Sequence, residues 1–302
     1  MHQARSWQQA WEDASATFYR EHYPCDHFRT DAMTGASAAR ILPLLHRALA
    51  SIPGPLSIVD VGAGDGSLVL GLIRALDGTA HEGRVRAICI DVRESPAHLD
   101  SEIEWICGDA RSIPIQPLDG LLIAHEFLDD LPCPWIECDA DGIAHAVIVD
   151  ATGRTELGPA LADHSGCARL GIDSPAIEAW LDQWWPTGRP FARSEPGLTR
   201  DAAWALLTSK VRNGYAIAID YGHLQPARAA GAWDGGTITG YQRGRVVTPV
   251  PDGSCNITAH VSMDAVARAA GTALSTSIDH LHGDFWCLVQ SFGAAAAATM
   301  RQ

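Results

Sequence analysis

The chain has 302 residues, of which 47% are hydrophobic and 19% are charged. This composition is typical of a globular protein with a sizeable core, and the length suits one elaborated α/β domain. No uninterrupted apolar window reaches the ~18 residues that a membrane-spanning helix needs. The first residues also lack a hydrophobic signal segment. We therefore expect a cytoplasmic protein without a membrane partner.

The formal net charge of −14 argues against nucleic acid as a partner, because phosphate binding needs clustered cations. An acidic surface suits a cationic substrate, and it also serves solubility alone. The eight cysteines include no CxxC pair, which predicts reduced thiols and no zinc site. His280 and His282 lack a third ligand nearby in the sequence, so we expect no bound metal.

The chain begins with a predicted helical cap over residues 1–55. Trp7, Trp11 and Phe18 recur near helical spacing, and residues 36–50 carry a second apolar face. From 56 to about 150, strands alternate with helices, as in a parallel sheet with helices on both faces. The predicted strands cover residues 58–61, 85–92, 103–107 and 118–124.

After residue 150 the alternation stops. Residues 151–205 are rich in Gly, Pro and Ala and predict a helical insertion rather than a separate folding unit. The core resumes over 206–302, with a strand at 215–221, a long loop to about 256, a helix at 263–270 and a strand at 285–291. The fold class predicted is α/β, with a doubly wound Rossmann-like sheet.

The first strand runs directly into a glycine-rich turn, Gly62-x-Gly64-x-Gly66, and an apolar helix pattern follows. Glycine tolerates positive φ and lets a ligand approach the backbone, while the helix N-terminus presents free N–H groups. A dinucleotide would prefer the spacing G-x-G-x-x-G. Asp65 within the turn would also repel a pyrophosphate. S-adenosylmethionine (SAM) has no phosphate and carries positive charge, so it is the predicted cofactor.

Polar residues at the ends of successive strands fit this cofactor. Asp91 can accept from both ribose hydroxyls, and Asp109 from the adenine amine, with the Ala110 N–H facing the ring. Asp60 or Glu126 suits the methionine ammonium. Helix capping is the alternative role for each acid alone. The predicted cofactor residues are Asp60, Gly62, Ala63, Gly64, Asp65, Gly66, Asp91, Val92, Gly108, Asp109, Ala110, His125 and Glu126.

Five motifs resemble the MidA-like family of SAM-dependent methyltransferases, whose mitochondrial members methylate arginine and are needed to assemble respiratory complex I. They are the cofactor loop at 59–66, His-Glu-Phe-Leu-Asp-Asp-Leu-Pro at 125–132, Ile-Asp-Tyr-Gly at 219–222, Gly-Thr-Ile-Thr-Gly-Tyr-Gln-Arg at 236–243 and Asn-Ile-Thr-Ala-His-Val at 256–261. Departures include His125 for asparagine, Asp130 for alanine and Asn256 for aspartate, together with an altered segment at 26–33.

Methyl transfer from a sulfonium is an in-line displacement, so the enzyme mainly aligns donor and acceptor. Glu126 and Asp129 are the predicted pair of carboxylates for a guanidinium, which two carboxylates bind by paired hydrogen bonds. Capping of a short turn is the alternative for Asp129 and Asp130. Further candidates for the catalytic or acceptor side are His125, Asp220, Tyr221, Tyr241 and His260.

Three hypotheses for the function follow from these residues. The first, which the resemblance implies, is N-methylation of arginine in a protein partner. The second is methylation of a small-molecule acceptor, which the altered signature favours. The third is a non-catalytic assembly factor that binds SAM and a client protein, and the intact glycine turn and Glu126 argue against it. The sequence leaves the oligomeric state open, with a homodimer as one of the alternatives.

Overall fold

The computed structural model describes residues 4–22, 35–97, 99, 101–150, 154–186 and 188–293. The helices are α1 (Trp7–Glu21), α2 (Ala36–Ser51), α3 (Ser67–Arg74), α4 (His164–Arg169), α5 (Ser174–Trp184), α6 (Leu198–Thr208), α7 (Gln225–Ala229) and α8 (Met263–Ala269). The altered segment at 26–33 lies outside the described residues. None of the described helices combines the length and the hydropathy needed to cross a membrane.

Within the described ranges, the strands form sixteen segments. They are β1 (Arg5–Ser6), β2 (Leu56–Val61), β3 (Val85–Asp91), β4 (Glu104–Cys107), β5 (Leu118–His125), β6 (Ile136–Cys138), β7 (Ala144–Val149), β8 (Thr155–Ala160), β9 (Arg193–Ser194), β10 (Val211–His223), β11 (Thr239–Gln242), β12 (Arg245–Val247), β13 (Asn256–Thr258), β14 (Val261–Ser262), β15 (Ser275–His282) and β16 (Phe285–Phe292).

The chain divides into two compact units. The sheet unit comprises Arg29–Leu128, Ala202–Asp220 and Ala267–Gln302. The insert unit comprises Met1–Phe28, Asp129–Asp201 and Tyr221–Val266. The boundaries expected from the sequence at residues 55, 150 and 205 stay predictions.

The sheet unit contains the strand order β15-β16-β10-β5-β2-β3-β4. From β10 to β4, neighbouring strands run parallel, whereas β15 and β16 form an antiparallel pair. The chain builds outward from β2 through β3 to β4 and then returns to β5 on the other side of β2. This reversal is a topological switch point, where open α/β sheets bind ligands beyond the carboxyl ends of the strands. The predicted Rossmann-like fold is confirmed.

The central strands form because their side chains are buried on both faces. Ile58, Val59 and Val61 of β2 are at most 2% exposed, and β-branched residues pack well on a pleated surface. Leu45 of α2 and Leu72 of α3 belong to the same core cluster as Ile58. Full burial of each such side chain contributes about 1.5–3 kcal/mol relative to leaving it exposed. The sheet below the glycine turn is therefore a stable base.

The insert unit has an antiparallel sheet of order β1-β7-β6-β9, with β8 paired to β7. A small sheet of order β12-β11-β13 also belongs to this unit. Ile136 of β6 and Ile177, Trp180 and Leu181 of α5 share one apolar cluster. β14 pairs with the last residues of β10, Gly222 with Val261 and His223 with Ser262.

Four segments differ from the sequence prediction, one of them the region predicted as a loop to about 256, where α7, β11 and β12 form. The alternation expected to run to residue 150 ends earlier, because Ile136–Cys138 and Ala144–Val149 form an antiparallel hairpin. Strands joined by so short a turn cannot run parallel. Thr155–Ala160 is a strand within the region predicted to be helical, and Ser275–His282 is a strand that the sequence pattern did not predict. Both have mainly solvent-facing residues, so their apolar periodicity is weak.

Arg200 of α6 fixes two loops of the insert unit. Its side chain is buried, and it donates from Nε to the Leu131 carbonyl (3.1 Å), from Nη1 to the His260 carbonyl (2.9 Å) and from Nη2 to the Asp129 carbonyl (2.9 Å). The guanidinium also lies over the Trp11 ring, 5.9 Å from its centroid. Removal of this side chain would take the Arg200 donor from the Leu131 and His260 carbonyls, whereas the Asp129 carbonyl would keep the bond from the Ala259 N–H (3.1 Å).

Arg200→Met should lower the free energy of unfolding by about 3 kcal/mol or more, because each buried polar group left unpaired costs about 1–3 kcal/mol. Urea unfolding measures the change. Arg212→Met is the matched control, since Arg212 pairs with Asp119 while its side chain is 60% exposed. Exposed ion pairs contribute about 0–1 kcal/mol. Equal losses in the two variants would contradict the role given to Arg200.

Candidate active site

The glycine turn between β2 and α3 adopts the conformation that its composition requires. Gly62, Gly64 and Gly66 have φ of +69°, +62° and +77°, values that residues with a Cβ rarely adopt. The Gly62 and Ala63 N–H groups both donate to the Ile90 carbonyl at the end of β3, at 2.9 and 3.2 Å. The turn is thereby attached to the neighbouring strand.

The three glycines differ in what surrounds them. A Cβ on Gly62 would lie 2.8 Å from Phe127 Cδ2, and one on Gly66 would lie 2.6 Å from Leu99 Cδ1. At Gly64, no heavy atom of the described residues lies within 4 Å of the same position. The turn is therefore packed at both ends and open at its centre.

Asp91, the last residue of β3, supports the turn directly. Its Oδ2 accepts from the Gly64 N–H at 2.9 Å, and its Oδ1 accepts from the Arg93 N–H at 3.0 Å. Arg93 in turn donates from Nη2 to the Gly64 carbonyl at 2.9 Å. The residue predicted to bind ribose therefore already holds the turn. Its Oδ1 also accepts from Arg93 Nε at 3.4 Å, whereas Oδ2 keeps a second lone pair for a ligand.

Asp60 is a buried acid beneath the turn, with 2% of its surface exposed. Burial, followed by the negative charges of Asp91 and Asp65, raises its pKa from 3.8 to about 8. Desolvation and like charges both disfavour the ionised carboxylate. Asp65 accepts from the Ser67 N–H at 2.9 Å and so caps the start of α3 from within the turn.

The predicted adenine-binding residues follow β4. The Gly108 N–H donates to the Asp91 carbonyl at 2.7 Å, and Ala110 is buried. Asp109 accepts three hydrogen bonds from the Arg111 side chain and one from its N–H. Burial opposes ionisation, but these bonds hold the pKa of Asp109 below its ordinary value. Val92 is exposed, so it can offer an apolar surface beside Asp91.

Glu126 follows directly after β5 at the switch point and has a φ of +49°. Such a conformation is strained for a residue with a side chain, and strained residues cluster at functional sites. Its N–H donates to the Ile219 carbonyl at 2.8 Å, and its side chain is 12% exposed. Its Oε1 lies 3.6 Å from His125 Nδ1. His125 Nε2 and the Ser37 hydroxyl are 2.7 Å apart in the interior.

Asp220 of β10 is fully buried, and its Oδ2 accepts from the Leu128 N–H at 2.9 Å. It therefore positions the segment that carries Glu126. Its predicted place on the acceptor side stays a prediction, as do the roles given to the other site residues.

Groups of three or more His, Cys, Asp or Glu suited to hold a metal are not found among the described residues.

The insert unit contains the remaining predicted residues. Tyr221 is 38% exposed and stacks on His260, with the ring centroids 6.0 Å apart. The His260 N–H donates to Thr237 Oγ1 at 2.9 Å, and Thr237 donates to the buried Glu195. Asp129 is buried, and Arg200 holds its carbonyl.

Two further predicted positions have structural contacts of their own. Asp130 accepts hydrogen bonds from Tyr19 and from Asn256, so it joins α1 to β13 within the insert unit. Tyr241, on β11, lies opposite Asn256 in the small sheet.

Sequence reasoning missed several residues of this unit, chiefly Arg200, His223, Arg228 and Trp233. Arg228 is fully buried and donates to His223 Nδ1 (3.0 Å) and to Asp264 Oδ1 (2.7 Å). His223 directly follows the Asp-Tyr-Gly motif, which is the signal that could have identified it. Nothing in the local pattern distinguishes the two arginines from surface residues.

A glycine turn with positive φ at the switch point of a parallel sheet, followed by acids at strand ends, defines a Rossmann-like nucleoside-binding protein. Comparison with protein families identifies the cofactor class as well as the fold. Residues 39–280 match a family described as "Putative S-adenosyl-L-methionine-dependent methyltransferase". The match covers most of the chain, so the protein belongs to this family of SAM-dependent methyltransferases. No curated protein matches the sequence significantly.

Two solved structures from Burkholderia thailandensis share the fold. One is a COG1565 superfamily member bound to S-adenosyl-homocysteine, with a TM-score of 0.72 and 17% identity over 98% of this chain and 90% of that one. The other is a native structure from the same superfamily, with a TM-score of 0.71 and 18% identity over 97% of this chain and 90% of that one.

The residues present fit the cofactor that the family uses. The open centre of the turn at Gly64 leaves room for a ligand against the backbone. The negative charges of Asp65 and Asp91, which raise the pKa of Asp60, make the surroundings negative, and this suits a sulfonium and an ammonium. A pyrophosphate would be repelled by the same charges. The chemistry of the donor set therefore favours SAM.

Gly64→Ala should keep the fold and weaken binding of S-adenosyl-homocysteine at least ~10-fold, because the methyl group enters the open space at the turn. The matched control is Gly78→Ala. Gly78 has a similar φ of +68° and equally open surroundings, but it lies in the turn after α3. In both variants the left-handed backbone conformation costs about 1–2 kcal/mol of folding stability, because the new residue has a Cβ. Titration calorimetry compares them, and equal affinities would contradict the cofactor site.

Asp60 should make the protein less stable as the pH rises. The folded state keeps the proton up to a pKa of about 8, whereas the ordinary value is 3.8, so folding stability falls between about pH 4 and pH 8. Asp60→Asn removes this titration and should flatten the profile. Urea unfolding at pH 5, 6, 7 and 8 measures both proteins. Parallel profiles would show that Asp60 does not bind the extra proton.

Proposed function

We propose that this methyltransferase transfers the methyl group of SAM to a guanidinium nitrogen of arginine in a protein partner. The observation that carries the proposal is Glu126, a carboxylate held with positive φ at the switch point. Carboxylates accept paired hydrogen bonds from a guanidinium. The net charge of −14 favours approach of a cationic partner. The relative bound to S-adenosyl-homocysteine supports the choice of cofactor.

The sheet unit would hold the cofactor through its strand ends. Asp91 would accept from the ribose hydroxyls, Asp109 from the adenine amine, and Asp60 would face the ammonium. Bound SAM supplies an electrophilic methyl group on a sulfonium. A cation close to Asp60 would favour its ionised form, so binding near neutral pH would release a proton. The turn itself contributes backbone that a ligand can approach closely.

On the acceptor side, Glu126 would orient one guanidinium nitrogen and draw its N–H proton, which makes the nitrogen lone pair available for in-line attack. His125 lies beside Glu126 and is fixed by Ser37, so it would steady the carboxylate. Asp129 follows three residues later in the sequence and is the proposed second carboxylate. A cytoplasmic location and a homodimer stay predictions.

A small-molecule acceptor is the second candidate. The observation that favours it is a set of aromatic rings in the insert unit, where Trp233 lies 5.2 Å from His260 and 5.0 Å from His223 between ring centroids. Aromatic rings arranged in this way suit a flat organic acceptor. The identity of the labelled product separates the two candidates, and the absence of any labelled product would favour a non-catalytic assembly factor.

Glu126→Gln should lower methyl transfer at least ~100-fold, the range found when a positioned acid–base group is lost. Incubation of the enzyme with labelled SAM and cell lysate, followed by mass spectrometry of proteins and metabolites, measures transfer. Methylarginine in a protein supports the first candidate, and a labelled metabolite supports the second.

Glu104→Gln is the matched control, since Glu104 forms an exposed ion pair with Arg86 on the same sheet. It should transfer methyl groups like the wild type. Full transfer by Glu126→Gln would remove Glu126 from the mechanism. If the wild-type protein bound neither SAM nor S-adenosyl-homocysteine in calorimetry, the cofactor assignment would be wrong.

A further inference from the structure

A cavity of about 430 Å³ is lined by residues of the insert unit alone, at the starts of α1 and α5 and beside β6 and β7. We call it the α1–α5 cavity. Glu12 of α1 and Asp173, the residue before α5, line it and are exposed, while Trp135, which precedes β6, lines it half-buried. Ligand pockets have volumes of about 300–1,000 Å³, so the α1–α5 cavity is large enough to admit a side chain of a partner.

Apolar side chains form part of the lining. Ile172 and Leu198 are half-buried, and Ile177 is buried. Trp7 packs against Trp135 nearly at right angles, with the ring centroids 5.0 Å apart, and this contact fixes the Trp135 ring at the cavity. A ligand gains free energy by burying apolar atoms against Ile172 and Leu198. The occupant that fits this lining therefore has an apolar part.

The charges of the lining select a cation. Two carboxylates line the cavity, and no cationic side chain is among the described residues that do so. Glu12 Oε1 accepts from the Gln8 side chain at 3.1 Å, and Asp173 Oδ1 caps α5 by accepting from the Ala176 N–H at 3.2 Å. The second oxygen of each carboxylate can therefore accept from a ligand. The starts of α1 and α5 carry only about half a positive charge each, which is less than the two full negative charges.

Two cations near this lining are already paired. Arg5, two residues before α1, forms an ion pair with Asp13 at 2.5 Å. Arg193 lies over the Trp135 ring, 5.1 Å from its centroid, and its Nε is 3.0 Å from the Glu137 carboxylate. Neither arginine lines the cavity. The two carboxylates of the α1–α5 cavity are therefore left for a bound cation.

A guanidinium fits these acceptors better than an ammonium ion does. The acceptors are spread over two helices, and the side-chain amides of Gln8 and Gln9 line the same space. A guanidinium has five donors in one plane, whereas an ammonium group has three around a single nitrogen. The aliphatic stem of arginine also supplies the apolar part. An arginine side chain therefore matches both the charged and the apolar lining.

We propose that the α1–α5 cavity binds the side chain of an arginine in the protein acceptor, a different arginine from the one that is methylated. This inference rests on the proposed function, because it takes the acceptor to be a protein. It adds that the acceptor carries a second arginine as a binding determinant. The net charge of −14 disfavours two other occupants, a second copy of this chain and an anionic lipid surface.

The test uses the full-length protein saturated with S-adenosyl-homocysteine and labelled with ¹⁵N in its tryptophans, with the Trp135 indole resonance assigned through Trp135→Phe. The probe is Nα-acetyl-arginine N-methylamide, the citrulline analogue is its neutral isostere, and free L-arginine represents a metabolite. The Trp135 resonance should shift with the arginine amide, which should bind at least ~10-fold more tightly than the citrulline analogue. Free arginine should bind more weakly than the amide, because its own carboxylate is repelled by the two in the cavity.

Two variants remove a charge from the cavity and keep the local structure. Glu12→Gln retains an oxygen for the Gln8 side chain, and Asp173→Asn retains a helix cap of similar strength. Each should weaken binding of the arginine amide about 5-fold. Asp13→Asn is the matched control, since it removes a carboxylate from the same helix at a position that does not line the cavity. It should bind the arginine amide like the wild type.

The outcomes distinguish this inference from the proposed function. If S-adenosyl-homocysteine binds but the arginine amide leaves the Trp135 resonance unchanged, the inference is wrong and the methyltransferase assignment stands. Equal binding of the citrulline analogue, or equal losses in Asp13→Asn and the two cavity variants, would also overturn it. Tighter binding of free arginine would refute a protein as the source. If the wild-type protein fails to bind S-adenosyl-homocysteine, the proposed function fails first.

Discussion

The insert unit is organised by two buried guanidinium groups. A guanidinium has five donors and no acceptor, so it can be buried only where carbonyls and carboxylates converge on it. Arg200 donates hydrogen bonds to the carbonyls of Asp129, Leu131 and His260. Arg228 donates to the carbonyls of Trp184 and His223 and to the Asp264 carboxylate. The loops that carry the predicted acceptor residues take their positions from these contacts.

Much of the parallel sheet can be predicted from the sequence, because its strands are buried on both faces and read as continuous apolar runs. Strand β2 and its glycine turn are the clearest example. The hairpin β6–β7 could not be predicted to leave this sheet, since its residues are as apolar as those of a parallel strand. Strand β15 was missed because most of its side chains face solvent, and its structure depends on pairing with β16.

The site was predictable to the extent that it depends on local pattern. The acids at strand ends could be placed because parallel strands present their carboxyl ends at one edge. The internal roles of Asp91 and Asp220, as supports of backbone, could not be foreseen, because each partner lies far away in sequence, 27 residues for Gly64 and 92 for Leu128. Arg200 and Arg228 were missed for the same reason, since burial is a tertiary property.

The bond from Gly64 to Asp91 has a consequence for how tightly a ligand can bind. A loop that must become ordered around its ligand spends part of the interaction energy on lost conformational freedom. Here the turn is already fixed by a neighbouring strand and by Arg93, so that entropy is lost during folding. The exchange of substrate cofactor for product can then proceed on a rigid surface, with little rearrangement in each catalytic cycle.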